Sequence, residues 1–162
     1  MPRIEKLNEI HGSSHWLKNT AILVIDEEEI SRMLKAVLTR EGARVSVANS
    51  VDEGLELFRR IVPQVIVSDV RSRIRSGSQL IRTVREHNRK GSRNIAIVAL
   101  TDLYAGVDEQ DGVAHGFDAY LSKPFEPSEL VALIGSVLEK QSSGPQDFRL
   151  FEREGIPPKH AA

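Results

Sequence analysis

The chain has 162 residues, 40% of them apolar and 28% charged, and a formal net charge of -1. A chain of this length buries roughly 70% of the surface its unfolded form exposes, its composition is too apolar for a disordered protein, and its near-neutral charge argues against gripping nucleic acid by bulk electrostatics. Cysteine is absent, which excludes disulfides, thiolate metal sites and a cysteine nucleophile.

No apolar run exceeds about seven residues, too few to span a bilayer. The charged opening MPRIEK leads into no apolar core of a secretion signal, so the expected location is cytoplasmic. Residues 1–20 read as an N-terminal extension in which Ile4, Leu7 and Ile10 share one helical stripe ending at Gly12. A first strand, AILVI, covers 21–25 and is followed by a helix with Ile30, Met33, Leu34, Val37 and Leu38 on one face. A second strand, ARVSVA, covers 43–48 and places Val45 and Val47 on one side. Ser50-Val-Asp-Glu53 is a capping box that opens a second helix with Val51, Leu55, Phe58 and Val62 as its stripe.

The third strand is VIV at 65–67, and Ser76-Gly-Ser-Gln79 reads as the capping box of a third helix carrying Leu80, Ile81 and Val84. IAIVAL at 95–100 is the fourth strand. A fourth helix over about 103–115 is weak, because Gly106 and Gly112 each cost ~1 kcal/mol against alanine. FDAYLS at 117–122 alternates as a fifth strand, and Pro127 opens a fifth helix with Leu130, Val131, Ile134, Val137 and Leu138 in line. Residues 141–162 form a C-terminal tail in which PQDFRLFEREG, with Phe148 and Phe151, is a candidate short helix.

Five strands alternating with five helices over 21–140 predict an α/β domain, a (βα)5 doubly wound parallel sheet. Continuous apolar strands belong in the middle and alternating ones at the edges. That puts the second and fifth strands outside and gives the flavodoxin-like order 2-1-3-4-5, whose ligands bind at the carboxyl ends of the strands where the order reverses. The residues standing there are Asp26-Glu27, Ser68-Asp69, Leu100-Thr101 and Ser122-Lys123-Pro124. Singly, each has a bland explanation: the acids favour a helix N-terminus, Thr101 caps a helix, Lys123 is a surface charge. Four successive strand ends carrying such groups to one rim are better explained by a shared site.

These residues carry a resemblance. Over 21–140 the chain resembles the receiver domain of bacterial two-component response regulators, through ILVIDEEE, VIVSD followed eight residues later by Gly77, IVALT and YLSKPF. The resemblance implies that Asp69 accepts a phosphoryl group from a histidine kinase or phosphotransfer protein. It implies a Mg2+ ion held by Asp26, Glu27, Asp69 and the Arg71 backbone carbonyl, with Lys123 and Thr101 completing the reactive set. The charges agree: two carboxylates 4 Å apart repel by about 4 kcal/mol at an effective dielectric of 20, and a hard divalent cation relieves this. Family likeness further implies a cis Lys123-Pro124 peptide, a switch pairing Thr101 with Tyr120, and an output protein bound through the fourth helix, fifth strand and fifth helix. The same face would serve a homodimer. Neither nucleic acid nor membrane is expected as a direct partner, and no independent enzymatic turnover is expected beyond self-phosphorylation. Both extensions are too short for an attached output domain, so signalling is expected to pass through the domain's own surface.

Several positions depart from the family pattern. Glu27 is one methylene longer than the usual second aspartate; Arg73 replaces a usual proline; Arg71 and Arg75 add charge to the same loop; Asp102, which suits a helix cap, follows Thr101. From 71 to 93 there are eight basic residues and one acidic one, Glu86, a run that resembles a partner-binding surface more than a nucleic-acid reader. The alternative is therefore a degenerate receiver, a phosphorylation-independent protein-binding module. A phosphatase of the haloacid dehalogenase type is disfavoured because Asp26 is followed two residues later by Glu28 rather than aspartate. The five histidines lack paired spacing for metal or phosphotransfer work.

Overall fold

The apolar runs become strands β1 (Ala21–Ile25), β2 (Arg44–Ala48), β3 (Val65–Asp69), β4 (Ala96–Asp102) and β5 (Ala119–Lys123) in the computed structural model, which describes residues 16–69, 74–91, 94–102 and 116–142. Helices α1 (Glu28–Arg40), α2 (Val51–Ile61), α3 (Ile74–Lys90) and α4 (Pro127–Ser142) occupy the connections and the C-terminal side. All strand pairs are parallel and the sheet order is β2-β1-β3-β4-β5. The predicted α/β class, the order and both edges are therefore observed. Expectations for the helices over 4–10 and 103–115, for Arg71 and Arg73, and for Phe148 and Phe151 lie outside the described residues.

Two cores sandwich the sheet because neighbouring side chains on a strand point to opposite faces. Ile22, Val24, Val65, Val67 and Val98 pack with Leu34 and Leu38 of α1 and Leu130 and Ile134 of α4. Leu23, Ile25, Ile66 and Ile97 pack with Leu55 and Phe58 of α2 and Leu80 and Val84 of α3. The first core reaches ahead of β1. Leu17 is fully buried, its N–H donates to the Glu41 carbonyl at 3.1 Å, and Trp16 packs on the same cluster.

Local signals set two of the four helix starts, Pro127 for α4 and a capping box for α2. The Ser50 hydroxyl accepts from the Glu53 N–H at 3.1 Å, and the Glu53 carboxylate reaches back to the Asn49 N–H at 2.9 Å, a capping box displaced by one residue. The Ser76-Gln79 pattern does not start α3, which begins at Ile74 and encloses Ser76 in its first turn. Met33 is 48% exposed, whereas Ser31 is buried; the inward face of α1 runs through Ile30, Ser31, Leu34 and Leu38. One residue along a helix is a 100° rotation, so Met33 sits well off the Leu34 direction. Asp102 ends β4, in register with Lys123.

The start of β5 is fixed by α3. Arg85 donates to the Gly116 carbonyl and pairs with the Asp118 carboxylate at 3.1 Å, while the other Asp118 oxygen accepts the Ile97 N–H at 2.7 Å. Arg85 thus leaves the basic surface run to hold backbone, and Arg82, Arg89 and Lys90 remain exposed.

Candidate functional site

Strand parity decides which groups meet at the carboxyl edge. Asp26 continues the face of Ile22 and Val24, Asp69 that of Val65 and Val67, and Lys123 that of Ala119 and Leu121. All three faces belong to the core lined by α1 and α4, so two acids and one amine share one side of the rim. Thr101 has the opposite parity, that of Ile97, and Ser122 shares its own parity with Tyr120.

Lys123 Nζ donates to Asp26 Oδ2 at 3.1 Å and lies 3.6 Å from Asp69 Oδ2. The other Asp26 oxygen accepts the Glu27 N–H at 2.7 Å. The Asp26 side chain is 0% exposed, Asp69 6% and Lys123 16%, so the pairings are shielded from bulk water. Burial pushes the Asp26 carboxyl above its ordinary pKa and the Asp69 charge pushes the same way, against the Glu27 N–H bond and Lys123. The arrangement sets two carboxylates against one amine. Its chemistry is that of an oxygen nucleophile beside a cation able to receive an anionic group.

The remaining predicted residues stand around this pair and lysine. Glu27 precedes α1 and is exposed, so two carboxylates come together where three were expected. Among the described residues, no three acidic or histidine side chains form a group able to hold a metal on their own. Thr101 pairs in register with Ser122, and its hydroxyl donates to Ser122 Oγ at 3.4 Å. The half-buried Tyr120 packs edge-on against Phe117, with ring centroids 5.8 Å apart. The Lys123-Pro124 peptide is cis, as the resemblance implied. Sequence reasoning overlooked the Ser122 hydroxyl as a partner of Thr101; its only signal was strand parity opposite a threonine.

Known proteins match this architecture. The sequence matches the response regulator receiver domain family over residues 22–135. It is 38% identical over 114 residues to an uncharacterized 14.6 kDa protein in the sodA1 3' region of Leptolyngbya boryana, covering 70% of this chain and 86% of that one. It is 33% identical over 126 residues to the transcriptional regulatory protein YvrH of Bacillus subtilis (strain 168), covering 76% of this chain but 51% of the relative. The chain thus spans about half the length of that regulator. The solved chemotaxis protein CheY4 of Vibrio cholerae is 27% identical, with a TM-score of 0.64 over 74% of this chain and 98% of its own. No helix among the described residues is long and apolar enough to cross a membrane. Sequence match and strand order agree: the chain belongs to the response regulator receiver domain family, the phosphoryl-accepting modules of two-component signalling.

Proposed function

We propose that this receiver takes a phosphoryl group on Asp69 from a histidine kinase or phosphotransfer protein and signals by changing the surface it offers to an output protein. The observation that carries this reading is the Lys123 amine set between the Asp26 and Asp69 carboxylates. A carboxylate oxygen of Asp69 attacks phosphorus, the bond from phosphorus to the donor breaks, and the leaving group departs with its electron pair. The acyl phosphate that results carries more negative charge than the carboxylate did, and Lys123 is placed to receive it.

A magnesium ion fits the donor set, because Asp26 and Asp69 are shielded carboxylates close enough for the Asp69 charge to help raise the Asp26 pKa. Mg2+ typically takes one or two carboxylates and completes its shell with water and phosphate oxygens. Asp26 and Asp69 would hold it, with Glu27 acting from the rim through water and the Arg71 carbonyl as a further ligand. Once bound, the ion would supply charge neutralisation for the phosphoryl oxygens. Thr101 then donates its hydroxyl to a phosphoryl oxygen, and Tyr120, resting against Phe117, follows Thr101 as the switch. The output face comprises β5, α4 and the helix expected over 103–115, and the protein is a signalling module of the cytoplasm with no separate substrate turnover.

A second reading is a degenerate receiver that binds its partner without phosphate; the exposure of Glu27 favours it. Phos-tag electrophoresis after incubation with acetyl phosphate and Mg2+ separates the two. The first reading expects a retarded band that disappears in Asp69→Asn. No retarded band, or one that persists in Asp69→Asn, rejects it.

A further inference from the structure

The Thr101 hydroxyl has one proton, and in this structure it is given to Ser122 Oγ rather than to anything at Asp69. The two residues are Cα partners in the β4–β5 ladder, so the contact is built into the register. Both side chains are half-buried, which limits the water available to replace the bond. Leu100, the residue before Thr101, is the register partner of Asp69. Thr101 therefore stands one residue past the acceptor on the neighbouring strand, between two claims on its proton.

We propose that Ser122 is a positioning residue that holds the Thr101 hydroxyl in the resting state and competes with the phosphoryl group for it. This rests on the reading of Asp69 as acceptor. At 3.4 Å the bond is long for a hydroxyl pair, whose usual separation is about 2.7–2.8 Å. It is weak enough to exchange, yet it must be broken before Thr101 can donate elsewhere. The Ser122 hydroxyl therefore stabilises the unphosphorylated receiver relative to the phosphorylated one. Tyr120 lies two residues before Ser122 on the same strand face, so freeing Thr101 alters packing beside the aromatic at the same time.

The competing explanation is a cross-strand hydroxyl pair that only stabilises the sheet edge. Coupling tells the two apart. Beryllofluoride in saturating Mg2+, titrated by calorimetry into the full chain, measures affinity for a phosphoryl mimic directly. Removing the competitor in Ser122→Ala should tighten binding about three- to tenfold, the worth of one neutral hydrogen bond. Ser122→Thr keeps an oxygen opposite Thr101 and should bind as the parent does. In a Thr101→Ala background, Ser122→Ala should leave the affinity unchanged, since there is no longer a proton to compete for.

Equal affinities for parent and Ser122→Ala would overturn the proposal, and so would the same tightening with and without Thr101. An edge-strand role alone would lower the melting temperature of Ser122→Ala without shifting beryllofluoride affinity in a Thr101-dependent way. Failure of the acceptor reading looks different: the parent would bind no beryllofluoride, or Asp69→Asn would bind it as well as the parent.

Discussion

Lys123 donates a 3.1 Å hydrogen bond to Asp26 across 97 residues of sequence, and the same amine lies 3.6 Å from Asp69. The same amine therefore faces both carboxylates, and the Asp69 charge helps to raise the Asp26 pKa. Asp69→Asn should raise stability in EDTA by about 1 kcal/mol, the scale of a partly screened charge pair. That corresponds to roughly 2–4 °C in melting temperature for a chain of this size. It should also shrink the gain that Mg2+ gives the parent. Lys123→Met should do the reverse and cost about 3 kcal/mol, because it strands a buried carboxylate; adding Asp26→Asn should return much of that loss. Equal melting temperatures for parent and Asp69→Asn, in EDTA and in Mg2+, would remove the crowding argument.

The buried Asp26 carboxyl gives this site a pH signature. Its pKa is raised in the folded protein, chiefly by burial. Below the ordinary carboxylate range, near pH 4, the folded and unfolded chains both hold the proton and no penalty exists. As pH rises through the window up to the raised folded value, the unfolded chain releases its proton first, so the folded state loses stability relative to it. Asp26→Asn carries no such penalty. The melting temperature of the mutant minus that of the parent, in EDTA, should therefore climb across that window and level off above it. A difference that falls with pH, or stays flat from pH 3 to pH 8, would contradict the burial-driven shift.

What the sequence made legible followed from periodicity and strand ends. AILVI, VIV and IAIVAL have the composition of central strands, and the polar residues that follow AILVI and VIV stand on the rim, which places Asp26 and Ser68-Asp69 there. Parity then brought Lys123 to the same side. The misreadings share a cause: a local pattern outvoted by distant packing. Ser76-Gln79 has the composition of a cap, yet α3 begins at Ile74. Met33 is apolar but lies off the stripe that the sheet accepts, while Ser31 is buried with its hydroxyl bonded to the Glu28 carbonyl and Asn49. Arg85 looked like one cation among eight, although its partners, Gly116 and Asp118, lie more than thirty residues away. No local rule finds such partners.

Residues 16–20, directly ahead of β1, are part of the folded unit. Leu17 is 0% exposed, and the backbone at 17 and 19 bonds to the turn after α1, through the Glu41 and Gly42 carbonyls at 3.1 Å each. Leu17→Ala should cost about 2–4 kcal/mol, in the range for a fully buried leucine. Removing residues 1–15, which leaves Leu17 in place, should not incur that loss. Chemical denaturation of the two variants checks this, and a Leu17→Ala midpoint equal to the parent's would show that the turn contributes no stability.

Two helical glycines test the packing in opposite directions. Alanine is favoured over glycine in a helix by about 1 kcal/mol, so either substitution would stabilise if space allowed. A Cβ on Gly135 of α4 would meet Trp16 at 3.6 Å, an ordinary van der Waals contact. Gly135→Ala should accordingly raise stability by about 0.5–1 kcal/mol. A Cβ on Gly54 of α2 would come within 2.5 Å of Ile25 Cδ1 and 3.0 Å of its Cγ1, against a side chain only 4% exposed. Overpacking of that kind costs about 1–3 kcal/mol, which outweighs the helix gain, so Gly54→Ala should destabilise. The nearer of those two atoms is the one that Ile25→Val deletes. Alone, Ile25→Val should cost about 1 kcal/mol; combined with Gly54→Ala it should cost nothing or restore stability, a coupling of about 1–2 kcal/mol between the two sites. Additive losses in urea denaturation would mean that α2 does not approach β1 as closely as the Gly54–Ile25 contact requires.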